Sequence, residues 1–154
     1  MGFDNIEISR LTVEDVDEVM VVERLSFTIP WSKDAFIEEV TNNKFARYII
    51  AKVDGRIVGY AGFWKVFDEG HITNVAVHPE YRRNGVGFML VKSLIDLAVE
   101  ENITRMTLEV RKSNIPAQNL YMKFGFKVEG FRKEYYADNK EDAIIMWKEN
   151  SIND

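Results

Sequence analysis

Apolar and polar residues alternate along several short segments of the chain, a pattern typical of strands with one buried and one exposed face. In the clearest case Leu108 and Val110 share one face, while Thr107 and Glu109 share the other. Two further segments flank the pair Asp54-Gly55, a strong signal for a tight hairpin turn. The predicted strands cover residues 6–12, 47–53, 56–67, 71–77, 104–110, 126–137 and 141–149.

Four other segments carry apolar residues at helical spacing, each after a residue that commonly starts a helix. The third segment is mostly apolar with one polar stripe, so we expect it to lie largely buried against a sheet. The fourth is short and has Pro116 in its first turn, where proline is tolerated. The predicted helices are residues 13–27 after Thr12, residues 33–43 after Ser32, the segment after Gly85, and the segment from Asn114 to Gly125.

The order of these elements predicts a mixed α/β (α+β) fold. We expect about seven strands in a mostly antiparallel sheet, flanked by about four helices. One strand–helix–strand crossover in the second half of the chain gives a parallel pair. At 154 residues the chain is predicted to form a single domain, residues 1–154.

Composition and charge narrow the class of partner. The formal net charge is −5 and the isoelectric point is about 5.2, so the chain offers no electrostatic footprint for a nucleic acid. A basic protein or an amine fits this charge better. The chain contains no cysteine, which removes thiolate metal sites and cysteine nucleophiles and fits a reducing cytoplasm. No apolar run is long enough to cross a bilayer, so we expect a cytoplasmic protein that does not bind a membrane. We also expect the protein to be a monomer or a weak dimer.

The segment "VAVHPEYRRNGVGFML" places two arginines and two glycines where a predicted strand turns into a helix. Unpaired N–H groups and the positive end of the helix dipole meet there, so the segment predicts an anion site. A dinucleotide fingerprint is one alternative, because Gly85 and Gly87 match it and Glu109 lies near the expected acidic position. Leu90 replaces its third glycine, however, and the preceding strands look like hairpins. A helix that merely begins with flexible glycines is the other alternative.

The same segment resembles the acetyl-coenzyme A signature of the GNAT superfamily of N-acetyltransferases, whose core pattern is Arg/Gln-x-x-Gly-x-Gly/Ala. The segments "SFTIPWS", "LEVRKSNIPAQNLYMKFGF" and "RKEYYADNKEDAIIMWK" resemble its RimI branch, bacterial enzymes that acetylate the N-terminal alanine of a small-subunit ribosomal protein. The resemblance covers nearly the whole chain. It implies the GNAT fold, acetyl-coenzyme A as co-substrate, no metal, and a basic protein N-terminus as acceptor.

The resemblance also implies a coenzyme site. Backbone N–H groups in the glycine turn would hold the pyrophosphate, with the two arginines adding positive charge. The strand before the turn would bind the pantetheine arm like an added strand and polarise the thioester carbonyl through one N–H. The implied coenzyme-binding residues are Val75, Ala76, Val77, Arg82, Arg83, Asn84, Gly85, Val86, Gly87 and Asn114.

Amide formation requires a base for the attacking amine and a proton donor for the departing thiolate. Glu109 lies at the end of a cleanly alternating strand, on its polar face, and suits a base acting directly or through water. Tyr121 matches the proton donor of the family. His71 and His78, the only histidines, are alternative bases, and neither has thiol neighbours that would make a metal site.

Two aromatic segments are expected to form the walls of a peptide groove. Phe27, Pro30 and Trp31 fall at the connection between the first two predicted helices. Phe27 and Trp31 are candidate substrate-binding residues, although a tryptophan at this position commonly packs in the core. Tyr135 and Tyr136 fall in the predicted strand 126–137, so only one of them can face the groove.

Four carboxylates, Glu23, Asp34, Glu141 and Asp142, are candidates to attract a basic peptide, although acidic residues on helix surfaces are commonly just solvated.

Three functions remain open from the sequence. The first is acetylation of a protein N-terminus, with Glu109 and Tyr121 as catalytic residues. The second is acetylation of a lysine side chain or a small amine on the same fold, because the glycine turn does not identify the acceptor. The third is a regulator that binds a nucleotide or an acyl-coenzyme A without catalysis.

Overall fold

A computed structural model describes residues 5–151 of the chain. Seven strands form one sheet in the order β1-β2-β3-β4-β5-β7-β6, and every neighbouring pair is antiparallel except β4 with β5. The predicted mixed fold with a mostly antiparallel seven-stranded sheet is therefore confirmed. The strands are β1 (Ile6–Arg10), β2 (Ala46–Val53), β3 (Arg56–Val66), β4 (Glu69–Val77), β5 (Arg105–Arg111), β6 (Lys127–Arg132) and β7 (Ala143–Glu149).

Local turn chemistry explains where the strands in the first half begin and end. Asp54 and Gly55 both take positive φ, 51° and 81°, which fits a tight hairpin between β2 and β3. Phe67 also takes positive φ, 56°, and makes a second reversal directly after β3. Because that reversal is tight, β4 starts at Glu69, two residues before the predicted start.

Side-chain caps set two of the helix starts as predicted. Ser32 Oγ accepts a hydrogen bond from the N–H of Ala35 at 3.1 Å, and Asn114 Oδ1 accepts one from the N–H of Ala117 at 3.2 Å. The first helix differs from its prediction, because residues 13–15 form a 3₁₀ turn before the α-helix begins. The α-helices are α1 (Val16–Ser26), α2 (Lys33–Asn42), α3 (Val86–Glu100) and α4 (Ile115–Lys123).

Apolar side chains cover both faces of the sheet. On one face α3 and α4 pack against the sheet, and Leu90, Val91 and Leu94 of α3 are completely buried. On the other face α1 and α2 contribute a second core that includes Met20 and Phe36. Burial of this much apolar surface is the main force that stabilises the two layers. No helix among residues 5–151 is both long enough and apolar enough to span a membrane.

The strand–helix–strand crossover β4–α3–β5 creates the opening that matters for function. The parallel pairing joins only Glu69–His71 to Arg105–Thr107, and beyond these residues the two strands no longer pair with each other. Thr73 has no partner in the β3–β4 register and forms a bulge beside the opening. The sheet is therefore split in its middle, between the C-terminal halves of β4 and β5.

The sixth strand is shorter than its prediction. It ends at Arg132, and Glu134 takes a positive φ of 51° directly afterwards. Tyr135 and Tyr136 thus lie in the β6–β7 loop, and the prediction that they alternate on a strand was wrong. Their rings instead meet edge to face, with centroids 5.1 Å apart.

Candidate active site

The split between β4 and β5 opens into a cavity of about 1000 Å³. Its sides are the unpaired halves of β4 and β5, the starts of α3 and α4, the α1–α2 loop, and the β6–β7 loop. Edge strands with unpaired backbone groups are suited to bind another extended chain. The cavity is therefore the candidate active site.

The N-terminus of α3 forms one end of the cavity and is built to accept an anion. Gly85, in the left-handed conformation with φ 87°, occupies the N-cap position, and it has no side chain to satisfy the first N–H groups. The first turn of α3 also contains no acidic residue. Arg82, Arg83 and Gly87 line the cavity at this end. Free N–H groups, the helix dipole and two guanidinium groups all favour a phosphate here.

Seven of the ten predicted coenzyme residues line the cavity. Val75, Ala76 and Val77 line the cavity from β4, and Arg82 Nε donates to the carbonyl of Val77 at 3.0 Å. That contact places the arginine over the end of the strand. Asn114 also lines the cavity, at the start of α4.

The three remaining predicted coenzyme residues, Asn84, Gly85 and Val86, do not line the cavity. Asn84 Nδ2 donates to the carbonyl of Arg82 at 2.8 Å, which stabilises the turn before Gly85. The side chain of Val86 is buried in the core below, so only its N–H can serve a ligand. Together with the unpaired edge of β4, this donor set fits a long ligand with a pyrophosphate and an amide-bearing arm, as acetyl-coenzyme A has.

Glu109 lies on β5 and lines the same cavity. Leu108 and Val110 point into the core beneath α3 and α4, so Glu109 faces the other side of the sheet, towards α1 and α2. Arg132 Nε donates to Glu109 Oε1 at 3.2 Å, and the Glu109 side chain is 28% exposed. The carboxylate is thus held in place and remains reachable from the cavity, as a general base requires.

Tyr121 lies on the inner face of α4 and lines the same cavity. Its side chain is 8% exposed and meets the ring of Phe126 edge to face. Burial raises the pKa of Tyr121 well above the ordinary tyrosine value. The phenol therefore stays protonated at neutral pH and can serve as a proton donor.

The structure divides the predicted substrate residues into two groups. Phe27 and Tyr136 line the cavity, from the α1–α2 loop and the β6–β7 loop respectively. Trp31, Pro30 and Tyr135 do not line it. The Trp31 ring packs edge to face against Phe36, 5.9 Å between centroids, as part of the α1–α2 core, and Tyr135 points to solvent with 49% exposure.

The two loops also touch each other across the cavity. Thr28 Oγ1 donates to Asp138 Oδ2 at 2.7 Å, joining the α1–α2 loop to the β6–β7 loop. This hydrogen bond holds the pKa of the Asp138 carboxyl below its usual range. Neither residue was predicted from the sequence, because a contact between positions 28 and 138 leaves no local signal.

Arg111 organises the β6–β7 loop and was also missed. It donates to Asp138 at 2.8 Å and to Glu141 at 3.4 Å, and its guanidinium stacks on the Tyr136 ring, 4.0 Å from the centroid. Glu141 in turn accepts from the N–H of Ser113 at 2.6 Å. Glu141, proposed from sequence as an attractor for a basic peptide, is therefore already engaged within the loop.

Five further candidates lie away from the cavity. His71 pairs with Glu69 at 3.2 Å, and His78 is buried, with Nδ1 accepting from a backbone N–H, so neither is placed to act as a base there. Asp34 is exposed in the first turn of α2. Glu23 is not on a solvated surface: it is 1% exposed and hydrogen-bonded inside the protein. Asp142 accepts from a backbone N–H of its own loop.

No group of three or more His, Cys, Asp or Glu side chains within residues 5–151 is arranged to hold a metal ion. The glycine turn follows the fourth strand of a mostly antiparallel sheet, and Leu90, which replaces the third glycine, is buried in the core. Neither feature belongs to a dinucleotide-binding domain, which has a parallel sheet.

Comparisons with known proteins agree with this geometry. Residues 16–126 match the model of the Acetyltransferase (GNAT) family. A Bacillus subtilis (strain 168) protein, provisionally named a [ribosomal protein bS18]-alanine N-acetyltransferase, is 47% identical over 140 residues, covering 91% of this chain and 93% of that protein.

The [ribosomal protein bS18]-alanine N-acetyltransferase of Salmonella typhimurium (strain LT2) is 36% identical over 143 residues, covering 90% of this chain and 94% of that protein. The crystal structure of the ribosomal-protein-S18-alanine N-acetyltransferase from Escherichia coli superposes with a TM-score of 0.88 at 32% identity, covering 97% of this chain and 96% of that one.

Proposed function

The chain belongs to the GNAT acetyltransferase family, and we propose that it transfers the acetyl group of acetyl-coenzyme A to the N-terminal α-amine of a protein, namely the N-terminal alanine of ribosomal protein bS18. One observation carries the proposal: the cavity in the split sheet is lined both by residues at the uncapped N-terminus of α3 and by the carboxylate of Glu109. The relatives named for this reaction supply the substrate class.

The cavity would bring acetyl-coenzyme A and the acceptor peptide together. Coenzyme phosphates would bind the N-terminus of α3 with Arg82 and Arg83, and the acyl arm would run along the free edge of β4. The peptide would enter from the side of α1 and α2, between Phe27 and Tyr136. The amine and the thioester then meet where β4 and β5 separate.

Glu109 and Tyr121 would move the two protons of the reaction. An α-amine with a pKa of about 8 is largely protonated at neutral pH, so Glu109 removes a proton directly or through water. The amine nitrogen then forms a bond to the thioester carbonyl carbon, and the carbon–sulfur bond breaks. Tyr121 donates its phenolic proton to the leaving sulfur, and the second proton that the acetylated nitrogen loses returns to the Tyr121 phenolate, directly or through water. The product is an N-acetyl peptide and coenzyme A.

The charge of the chain suits a basic substrate. Its net charge is −5, and the partly exposed carboxylate of Glu109 lines the cavity. Opposite charge favours the encounter with a peptide rich in lysine and arginine. Ribosomal proteins are synthesised in the cytoplasm, and we place the reaction there.

The proposal is tested with two matched peptides. One begins with a free alanine and has arginines in place of lysines; the other has a blocked N-terminus and one free lysine. We expect kcat/KM to be far higher for the first peptide. A higher value for the blocked peptide, or for a free polyamine, would show that the acceptor is a side-chain or small-molecule amine.

A further inference from the structure

A carboxylate that the proposed reaction does not use is buried in α1. Glu23 is 1% exposed, and both of its oxygens accept hydrogen bonds: Oε2 from the N–H of Trp31 at 2.9 Å and Oε1 from the hydroxyl of Tyr60. A buried carboxylate is tolerated only when such donors surround it, and it can only accept. The direction of both hydrogen bonds is therefore fixed by Glu23.

The hydrogen bonds continue from Tyr60 to the cavity wall. The Tyr60 hydroxyl has one proton and gives it to Glu23, so its oxygen can only accept from a third group. Burial and the adjacent Glu23 charge raise the pKa of Tyr60 far above its usual value, so this proton stays in place. Asn74 Nδ2 donates to the Tyr60 oxygen at 3.3 Å. The amide nitrogen of Asn74 must face Tyr60, and its carbonyl oxygen must face elsewhere.

That carbonyl oxygen has no hydrogen-bond partner among residues 5–151, although it is buried. The only other buried side-chain atom in the same situation within these residues is Ser26 Oγ, and both Ser26 and Asn74 line the cavity. Unpaired buried polar atoms are uncommon because they are costly, so each is expected to bind a partner outside the chain, either a water molecule or a ligand. Because both atoms belong to residues that line one cavity, they indicate that a polar ligand binds in that cavity.

Asn74 also lies on the side from which the acceptor would come. It is paired with Gly62 on β3, two residues from the Tyr60–Ala76 pair, so its side chain shares their face of the sheet. Tyr60 and Ala76 belong to the core beneath α1 and α2, the side that Glu109 also faces. Asn74 and Glu109 thus lie on the same face, on the two strands that separate.

We propose that Asn74 Oδ1 accepts a hydrogen bond from an N–H of the acceptor amine, and that Glu23, through Tyr60, sets this polarity. The inference rests on the proposed function. An amine that attacks with its lone pair has N–H groups that need acceptors, and Glu109 serves one of them. A carbonyl oxygen at Asn74 serves another and orients the lone pair. In this arrangement Asn74 contacts the substrate, and Glu23 is a positioning residue.

The substitution Glu23→Gln should reverse the chain of hydrogen bonds. The backbone N–H of Trp31 cannot turn, so the glutamine oxygen must face it, and the glutamine NH₂ then faces Tyr60. Tyr60 accepts from that NH₂ and donates its proton to Asn74, whose amide turns over. Asn74 would then offer an N–H to the acceptor in place of an oxygen, with no change in shape.

The test is a double-mutant cycle measured with the alanine-initiated peptide. We expect Glu23→Gln and Asn74→Ala each to lower kcat/KM about tenfold, mainly through KM, which corresponds to the loss of one hydrogen bond. The Kd for acetyl-coenzyme A should not change. The double variant should lose no more than Asn74→Ala alone, because Glu23 acts through Asn74.

A matched control is Glu39→Gln. Glu39 is a second buried carboxylate, 8% exposed, and it accepts from the Tyr48 hydroxyl at 2.7 Å and from Asn43 at 3.0 Å. It makes no hydrogen bond to Tyr60 or Asn74, so kcat/KM should stay near that of the wild type. A loss equal to that of Glu23→Gln would mean that any buried carboxylate has this effect, and would overturn the proposal.

The proposal would also be overturned if the losses of kcat/KM in Glu23→Gln and Asn74→Ala were additive in the double variant, or if the KM of Glu23→Gln equalled that of the wild type. If Glu23→Gln does not fold, Tyr60→Phe takes its place in the cycle, because it removes the hydroxyl that holds the Asn74 amide. Failure of the proposed function gives a different result: the wild type then prefers a lysine or small-molecule amine, and the same cycle is run with that acceptor. A wild-type protein that acetylates no amine would refute both the proposed function and the role of Asn74.

Discussion

Replacing Gly87 by alanine tests whether a ligand or the protein requires glycine at the start of α3. Gly87 is the second residue of α3 and does not have a positive φ. A Cβ at this position would lie 3.5 Å from Leu120 Cδ2 and 3.8 Å from Val77 Cγ2, which are ordinary van der Waals distances. Nothing in the described protein therefore excludes alanine.

The structure predicts opposite effects on stability and on binding. Alanine in place of a helical glycine should stabilise the fold by about 0.5–1 kcal/mol, because the unfolded chain loses freedom and helix propensity improves. For a chain of this size that corresponds to a rise in Tm of roughly 1–4 °C. The new methyl group would occupy the cavity between β4 and α4, where the coenzyme is proposed to approach the backbone. We expect the Kd for acetyl-coenzyme A to rise at least about tenfold, or ~1.4 kcal/mol.

Calorimetry for binding and thermal unfolding for stability measure both effects on one sample. Gly59→Ala is the contrasting control, since a Cβ there would lie 2.9 Å from the carbonyl oxygen of Ala76 and 3.0 Å from Leu90 Cδ1. That variant should lose stability by about 1–3 kcal/mol. If alanine at position 87 leaves the Kd unchanged, the coenzyme does not approach α3 as closely as proposed. A lower Tm would refute the steric reasoning.

Two further variants test the chemistry. Glu109→Gln should retain coenzyme binding and lower kcat by ~10²–10⁴-fold at pH 7, with a smaller loss above pH 8, where the α-amine is already deprotonated; an undiminished kcat at neutral pH would mean that the base is another group. Tyr121→Phe should lower kcat by a similar factor at every pH. Because burial raises the pKa of Tyr121, the phenol loses its proton only above the ordinary tyrosine range, and the wild-type kcat should not fall near pH 10. A fall of kcat near pH 10 in the wild type that is absent from Tyr121→Phe would contradict this expectation.

Features of the fold with a local cause were predictable from the sequence. The hairpin at Asp54-Gly55 and the caps at Ser32 and Asn114 depend on residues within a few positions of each other. The end of β6 was not predictable in this way. Tyr135 and Tyr136 have strand-like character, yet the loop is held by Arg111 from β5, which stacks on the Tyr136 ring.

The candidate site likewise contains residues with local sequence signals and residues whose role depends on distant contacts. Glu109 and the α3 turn carry local signals, which are a polar position in an alternating strand and paired glycines. Both features line one cavity in the structure. The connection from Glu23 through Tyr60 to Asn74 joins α1 to two strands, and no spacing within one segment reveals it. Glu23 looks like an ordinary surface residue of a helix until the sheet that buries it is known.

The most direct test of the central claim is the position of the acetyl group on the intact acceptor protein. Purified ribosomal protein bS18 with a free N-terminal alanine is incubated with the enzyme and acetyl-coenzyme A, and the product is fragmented in a mass spectrometer. We predict one acetyl group, on the α-amine of the alanine, formed far more slowly by the Glu109→Gln variant. Acetyl groups on lysine side chains beside a free N-terminus would contradict the account.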